Sequence, residues 1–148
     1  MTLDIDGNKL EYELVVDKHT GERHAVIKDG REAKGDLVIP GQIDGCPVTE
    51  IGDSSFFCCA GLTGVTIPDG VTYIGHLAFR SCTGLTSIGT QSFCCCHGLK
   101  QVVIPESVAC IERGAFLGCS GLEKADVPLR ATIGENAFDG TVIITRYG

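Results

Sequence analysis

Tryptophan is absent from this chain of 148 residues, methionine occurs once, and aromatic residues make up only 6%. So few rings leave no row of platforms on which nucleic-acid bases could stack. Basic side chains are also scarce, with 12 Lys and Arg against 19 Asp and Glu, a formal net charge of −7. That balance disfavours nucleic acid and anionic membranes, both of which call for a basic face. No apolar run approaches the roughly 18 residues of a membrane-crossing helix, so no membrane insertion is expected. The opening residues Met1 to Gly7 lack a basic stretch followed by an apolar one, and no signal peptide is read there. Paired Cys-x-x-Cys ligand spacings, a phosphate loop and a metalloprotease signature are missing too, so no cofactor is expected.

Glycine (20) and cysteine (9) are abundant instead. One phrase recurs five times: IGDSSFFCCAGL at 51–62, IGHLAFRSCTGL at 74–85, IGTQSFCCCHGL at 88–99, IERGAFLGCSGL at 111–122 and IGENAFDGTVI at 133–143. Its isoleucines stand at 51, 74, 88, 111 and 133. A period in the low twenties belongs to a stacked solenoid, in which one coil cannot bury its own apolar face and neighbours must cover it. The reading is an α/β repeat of about five coils over residues 35–148, built of short strands plus short helical turns. Residues 1–34 are read as an N-terminal β-hairpin cap, with the strands in 9–28, and the whole as one structural domain.

Each full unit has three parts. A strand ending in proline comes first: Leu37–Pro40, Val65–Pro68, Val102–Pro105 and Ala125–Pro128. Proline can close a strand because its missing N–H ends the ladder there. A short extended piece follows, as in Val71-Thr72-Tyr73-Ile74, alternating inward and outward. A brief turn around a small residue and Phe completes the unit: Ser55-Phe56, Ala78-Phe79, Ser92-Phe93, Ala115-Phe116 and Ala137-Phe138. Gly61, Gly84, Gly98 and Gly121 each precede a leucine, which suggests a backbone angle that other residues resist. Between Ile74 and Ile88 the strand-proline portion is missing, and a broken ladder with a coil shortened on one side is expected there.

The runs IPDGVTYIGHLAFRSCTGL (67–85) and IPESVACIERGAFLGCSGL (104–122) resemble the BspA-like leucine-rich repeat family. GDLVIPGQIDGCPVTEIGDSSF (35–56) looks like the usual lead-in of such arrays. The resemblance covers about residues 35–140; the short third unit and the extra cysteines depart from it. It implies a non-catalytic right-handed leucine-rich-repeat solenoid, found in surface or secreted proteins and credited with adhesion or protein binding. A protein or glycoprotein partner is therefore expected. The odd cysteine count points instead to reduced thiols and a reducing compartment.

Cys59, Cys82, Cys96 and Cys119 follow the turn phenylalanines at one register position and are read as a structural ladder of buried thiols. Cys94 and Cys95 are the more exposed candidates for oxidation or for crosslinking between molecules. Two other chemistries are weighed: zinc at Cys58-Cys59 with Cys94-Cys95-Cys96-His97, and a nucleophile pairing these cysteines with His97. Consecutive residues point different ways and no orienting Asn or Asp is placed, so both give way to the ladder. His19 and His24 are read as solvated residues of the cap. The expected binding surface is the outward row of the strand face: Gly64, Thr66, Gln101, Val103, Lys124 and Asp126. Tyr73 and His76 form a second candidate on another face. The preferred function is a protein-interaction or adhesion module presenting a curved repeat surface. The alternatives are a structural spacer within a larger array and, behind it, a thiol- or metal-dependent enzyme.

Overall fold

The computed structural model describes residues 1–68, 70–97 and 99–148. The chain begins with an antiparallel meander of β1 (Thr2–Ile5), β2 (Asn8–Val16) and β3 (Arg23–Asp29). A two-stranded hairpin is expected from the sequence; β1 adds a third strand. Its signal is the pair Asp6-Gly7, both at positive φ (50° and 85°), the turn chemistry that two-residue hairpin loops require. Leu10, Ala25 and Ile27 are buried. β3 then pairs in parallel with β6 (Cys46–Ile51), so the meander continues directly into the coils.

Every coil has three sides. The first strand of each unit is β4 (Gly35–Val38), β7 (Leu62–Thr66), β10 (Gln101–Val103), β12 (Lys124–Pro128) or β14 (Ile143–Tyr147), and these form two sheets, β4–β7 and β10–β12–β14. The second strand is β6, β8 (Tyr73–Ile74), β9 (Ser87–Ile88), β11 (Cys110–Ile111) or β13 (Thr132–Ile133), and β6–β8 and β9–β11–β13 are likewise separate ladders. β5 (Gln42–Ile43) is a short antiparallel partner of β6. The third side is the turn around each phenylalanine.

Helical turns are expected on that third side, but no helix occurs among the described residues. The reason is a left-handed residue at two fixed places per turn. They are Ser54 and Cys58 (φ 54° and 58°), Leu77 and Ser81 (both 59°), Gln91 and Cys95 (57° and 63°), and Gly114 and Gly118 (66° and 74°). A left-handed residue cannot continue a right-handed helix. The amides therefore alternate. Ser55, Phe57 and Cys59 donate within their own turn, whereas Ser54, Phe56 and Cys58 donate to His76, Ala78 and Arg80 of the next coil.

The core is a set of rows running along the stack. Phe56 stacks on Phe79 with centroids 5.1 Å apart, Phe93 on Phe116 at 4.6 Å, and Phe116 on Phe138 at 4.8 Å. Ile51 stands in register with Ile74, and Ile88 with Ile111; Ile51, Ile88 and Ile111 are buried, as are Leu62, Leu85, Leu99 and Leu122. Glycine at 84 and 121 answers a close approach, not the unusual backbone angle expected from the sequence. Neither has positive φ, but a Cβ on Gly84 would stand 2.5 Å from Ala60 O, and one on Gly121 2.2 Å from His97 O. Gly98 lies outside the described residues.

Between the second and third turns the stack changes register. β8 pairs only with β6, whereas β9, β11 and β13 form a separate ladder. No stacking joins Phe79 to Phe93 among the described residues. The expected break is there, but the coil is not shortened. Ser107 Oγ meets Cys82 O at a separation of 25 residues, and Cys96 Sγ meets Pro68 O at 28. Regular neighbours such as Cys82 Sγ and Phe56 O are 26 apart. The perimeter is conserved because it is fixed by closing a three-sided coil of packed side chains. Losing one strand portion makes the sequence slip by one side. Thus β9 packs beside β7, Ile67 N–H donates to Ser92 O at 2.9 Å, and β10 comes to stand over the turn of Tyr73–Arg80.

Two substitutions test this packing. Ser55 Oγ is buried without a hydrogen-bond partner, at the position where three other coils carry Ala78, Ala115 and Ala137. Ser55→Ala is expected to stabilise the fold by about 1 kcal/mol in urea unfolding, and a loss of stability would contradict that environment. Gly121→Ala drives a methyl into the His97 carbonyl and should cost about 1–3 kcal/mol, read as a lower urea midpoint.

Candidate functional site

The slip divides the row expected from the sequence. Gln101, Val103, Lys124 and Asp126 lie together on the β10–β12–β14 sheet, in the register Gln101–Lys124–Ile143 and Val103–Asp126–Thr145. Gly64 and Thr66 belong to the separate β4–β7 sheet. The three-stranded face mixes apolar and charged groups. Val103 is 65% exposed and Ile143 68%, and Lys124 Nζ lies 3.2 Å from Asp126 Oδ1.

A cleft of about 420 Å³ opens where β10 faces the second turn, a size within the usual range of ligand pockets. One wall includes Tyr73, His76, Phe79 and Arg80; the other includes Gln101, Val103 and Glu106. The cleft thus unites two of the strand-face candidates with Tyr73 and His76, which the sequence places on different faces. Both walls carry unpaired backbone. The residues matching Ser54, Phe56 and Cys58 are Leu77, Phe79 and Ser81, and their N–H groups have no partner among the described residues. Leu77 and Phe79 line the cleft. On the opposite wall β10 pairs with β12 alone. Ile104 N–H donates to Asp126 O and Lys100 O accepts from Lys124 N–H. In a parallel ladder the alternate groups face the other way, so Gln101 and Val103 turn their N–H and C=O towards the cleft.

Side chains fix the mouth. Tyr73 OH donates to Asp53 Oδ1 at 3.1 Å, and the same oxygen accepts from His76 N–H at 2.8 Å. The carboxylate bond raises the Tyr73 pKa. Tyr147 OH donates to Ile104 O, and burial raises its pKa, with Glu106 and Asp126 adding to the effect. Arg80 and Glu106 give the cleft one charge of each sign.

The nine cysteines form no disulfide among the described residues. Cys59, Cys82, Cys96 and Cys119 are buried, and each sulfur meets a carbonyl of the preceding layer. Cys82 Sγ donates to Phe56 O and Cys119 Sγ to Phe93 O, both at 2.9 Å. Cys96 Sγ meets Pro68 O at 3.5 Å and not the carbonyl of a turn phenylalanine, a consequence of the slip. Cys58 is exposed, while Cys94, Cys95 and Cys110 are half-buried. His97 Nδ1 lies 3.1 Å from Ser120 Oγ, which draws the ring towards a hydroxyl. His24 sits 3.7 Å from Glu50, and His19 is exposed. Among the described residues no three His, Cys, Asp or Glu side chains are grouped to hold a metal ion.

A family model described as "BspA type Leucine rich repeat region" matches residues 49–147 in six copies. No curated protein matches the chain. Among solved structures, the chain is similar to a leucine-rich repeat protein of T. pallidum, with 29% identity and a TM-score of 0.44 over 89% of this chain and 64% of that one. It is also similar to a leucine-rich cell surface protein of Faecalibacterium prausnitzii, with 28% identity and a TM-score of 0.42 over 99% of this chain and 40% of that one. A leucine-rich repeat protein of Bacteroides capillosus gives 23% identity and a TM-score of 0.41, with 99% of each chain covered. The chain therefore spans less than two-thirds of the first two of these proteins.

Burial pushes the Cys82 thiol up to about 11 and raises Cys59 as well. At pH 9 Cys82 keeps its proton in the folded chain, whereas an unfolded cysteine is largely ionised. Alkylation of the native protein at pH 9 is expected to label Cys58 first and to spare Cys82 until denaturant is added. Peptide mass mapping checks the order, and early labelling of Cys82 would contradict its environment.

Proposed function

The chain belongs to the BspA-type leucine-rich repeat family, and from that footing we propose that it is a non-catalytic protein-interaction module that takes an extended segment of a protein partner into the cleft at the slip. The observation that carries this reading is the meeting of two unpaired backbone edges, Leu77 and Phe79 on one wall and Gln101 and Val103 on the other. An open edge is a template for another strand, and strand addition supplies main-chain hydrogen bonds whatever the partner's sequence. Specificity then comes from side chains. Tyr73, held by Asp53, is an aromatic anchor of the kind that dominates interface energetics. Exposed Val103 extends the contact onto the β10–β12–β14 face, where Lys124, Asp126 and Ile143 would meet the partner's flanking residues. Gly64 and Thr66, on the other sheet, would contribute separately. Adhesion is this same binding put to use on a protein or glycoprotein at a surface.

A spacer role within a larger array is the second reading. It is favoured by Ile133 and Ile144, each 37% exposed at inward-facing positions of the last coil, where another coil-shaped element would stack.

The chain itself suggests the probe. Residues 62–68, Leu-Thr-Gly-Val-Thr-Ile-Pro, are the strand portion that the third unit lacks. Supplied in trans, this peptide is expected to bind and to shift the amide resonances of Leu77, Phe79, Gln101 and Val103. Val103→Pro removes the N–H facing the cleft while sparing the groups bonded to β12. It should weaken peptide binding at least tenfold with the far-ultraviolet spectrum unchanged. Equal binding to both proteins, or resonance shifts confined to other faces, would sink the reading.

A further inference from the structure

We propose that Cys94 and Cys95 form a reversible two-electron redox site set in the joint between the two halves of the solenoid. Their sulfurs lie 3.2 Å apart, so they touch before any reaction. Both side chains are half-buried, which leaves a path for a small oxidant that the buried Cys96 lacks. Cys95 Sγ has its room because Gly118 of the next coil has no side chain; a Cβ there would stand 3.2 Å from the sulfur. With no third ligand grouped around them among the described residues, the pair has the chemistry of a dithiol, not of a metal site.

The oxidant is a hydroperoxide, and the step balances with hydrogen peroxide. One sulfur, as thiolate, attacks a peroxide oxygen; the O–O bond breaks, leaving a sulfenic acid and, after proton uptake, one water. The second sulfur attacks the sulfenic sulfur, the S–S bond forms, and its proton leaves with the hydroxyl as another water. Two thiols and one peroxide become one disulfide and two waters. The hydrogen bond to Cys95 raises the pKa of Cys94, which suits Cys94 to the second, resolving role. Adjacent Cα atoms are about 3.8 Å apart, below the spacing of ordinary disulfides. The bond is therefore readily reducible, and a thiol reductant reopens it.

The position gives this chemistry a consequence. Cys94 and Cys95 lie between Ser92, whose carbonyl accepts from Ile67 N–H, and Cys96, whose sulfur meets Pro68 O. These two contacts join the halves across the slip. Drawing the sulfurs together by roughly 1.2 Å turns the backbone of Cys95, which stands at φ 63° and donates to Leu117 O at 2.9 Å. Oxidation loosens the joint beside the cleft without separating the coils on either side.

Treatment of the full chain with hydrogen peroxide, alkylation under denaturing conditions, and fragmentation of the tryptic peptide 81–100 test the proposal. The expected product has lost two hydrogen masses, carries alkyl groups on Cys82 and Cys96 but none on Cys94 or Cys95, and regains both sites after dithiothreitol. Its urea midpoint is expected below that of the reduced protein. Cys94→Ser and Cys95→Ser, each checked for an unchanged far-ultraviolet spectrum, should both abolish the mass loss. Full alkylation of Cys94 and Cys95 in the peroxide-treated wild type, or disulfide-linked dimers through Cys58 in place of the intramolecular product, would overturn it.

Discussion

The hydrogen bond from an amide of one coil to a carbonyl of the next governs this molecule. It forms only if each coil returns the backbone to the same place one layer further on, and the other regularities follow from that. Phe56 can stack on Phe79, and Phe93 on Phe116, because their turns are already tied together. Gly84 and Gly121 are needed because the tie brings the backbone against a carbonyl of the preceding coil. Cysteine suits the inner corner because it is small and apolar and its S–H can reach the carbonyls of the previous turn. Left-handed residues at fixed places divert alternate amides from their own turn to the neighbour, which explains why the third side is a chain of turns and not a helix.

That constraint also explains the slip. A coil that closes around packed side chains keeps its perimeter, so a deleted strand portion is answered by a change of phase and not by a smaller ring. A strand edge then faces a turn, two surfaces whose backbone groups do not match, and the bonds that seal every other layer are left unmade on that side. The cleft is the outcome. Its unpaired amides, its anchored tyrosine and its charges of both signs are the features that the proposed binding of an extended chain would use. Ile67 N–H to Ser92 O and Cys96 Sγ to Pro68 O cross the slip, and the chain places two touching thiols between Ser92 and Cys96.

Much of this was legible in the sequence. The isoleucine spacing gave the coils, and the step between Ile74 and Ile88 marked the place of the break. The Phe and Cys registers told which side chains face inward, since a stacked repeat must bury the positions it repeats. The third N-terminal strand was signalled by Asp6-Gly7 between alternating residues. The outward strand row was legible strand by strand, but not its division into two sheets, because that depends on which sides stack after the deletion. The unpaired amides of Leu77 and Phe79 left no mark, since backbone groups are the same in every residue.

The local repeat pattern by itself determined a solenoid with rows of buried Ile, Leu, Phe and Cys, because periodic apolar residues can be covered only by their own neighbours. Only the tertiary structure decided that the missing portion shifts the phase, brings Tyr73 and His76 opposite Gln101 and Val103, and leaves a cleft between them. The physical reason is that closure of the coil is a property of the whole perimeter, and no single unit of the sequence contains it.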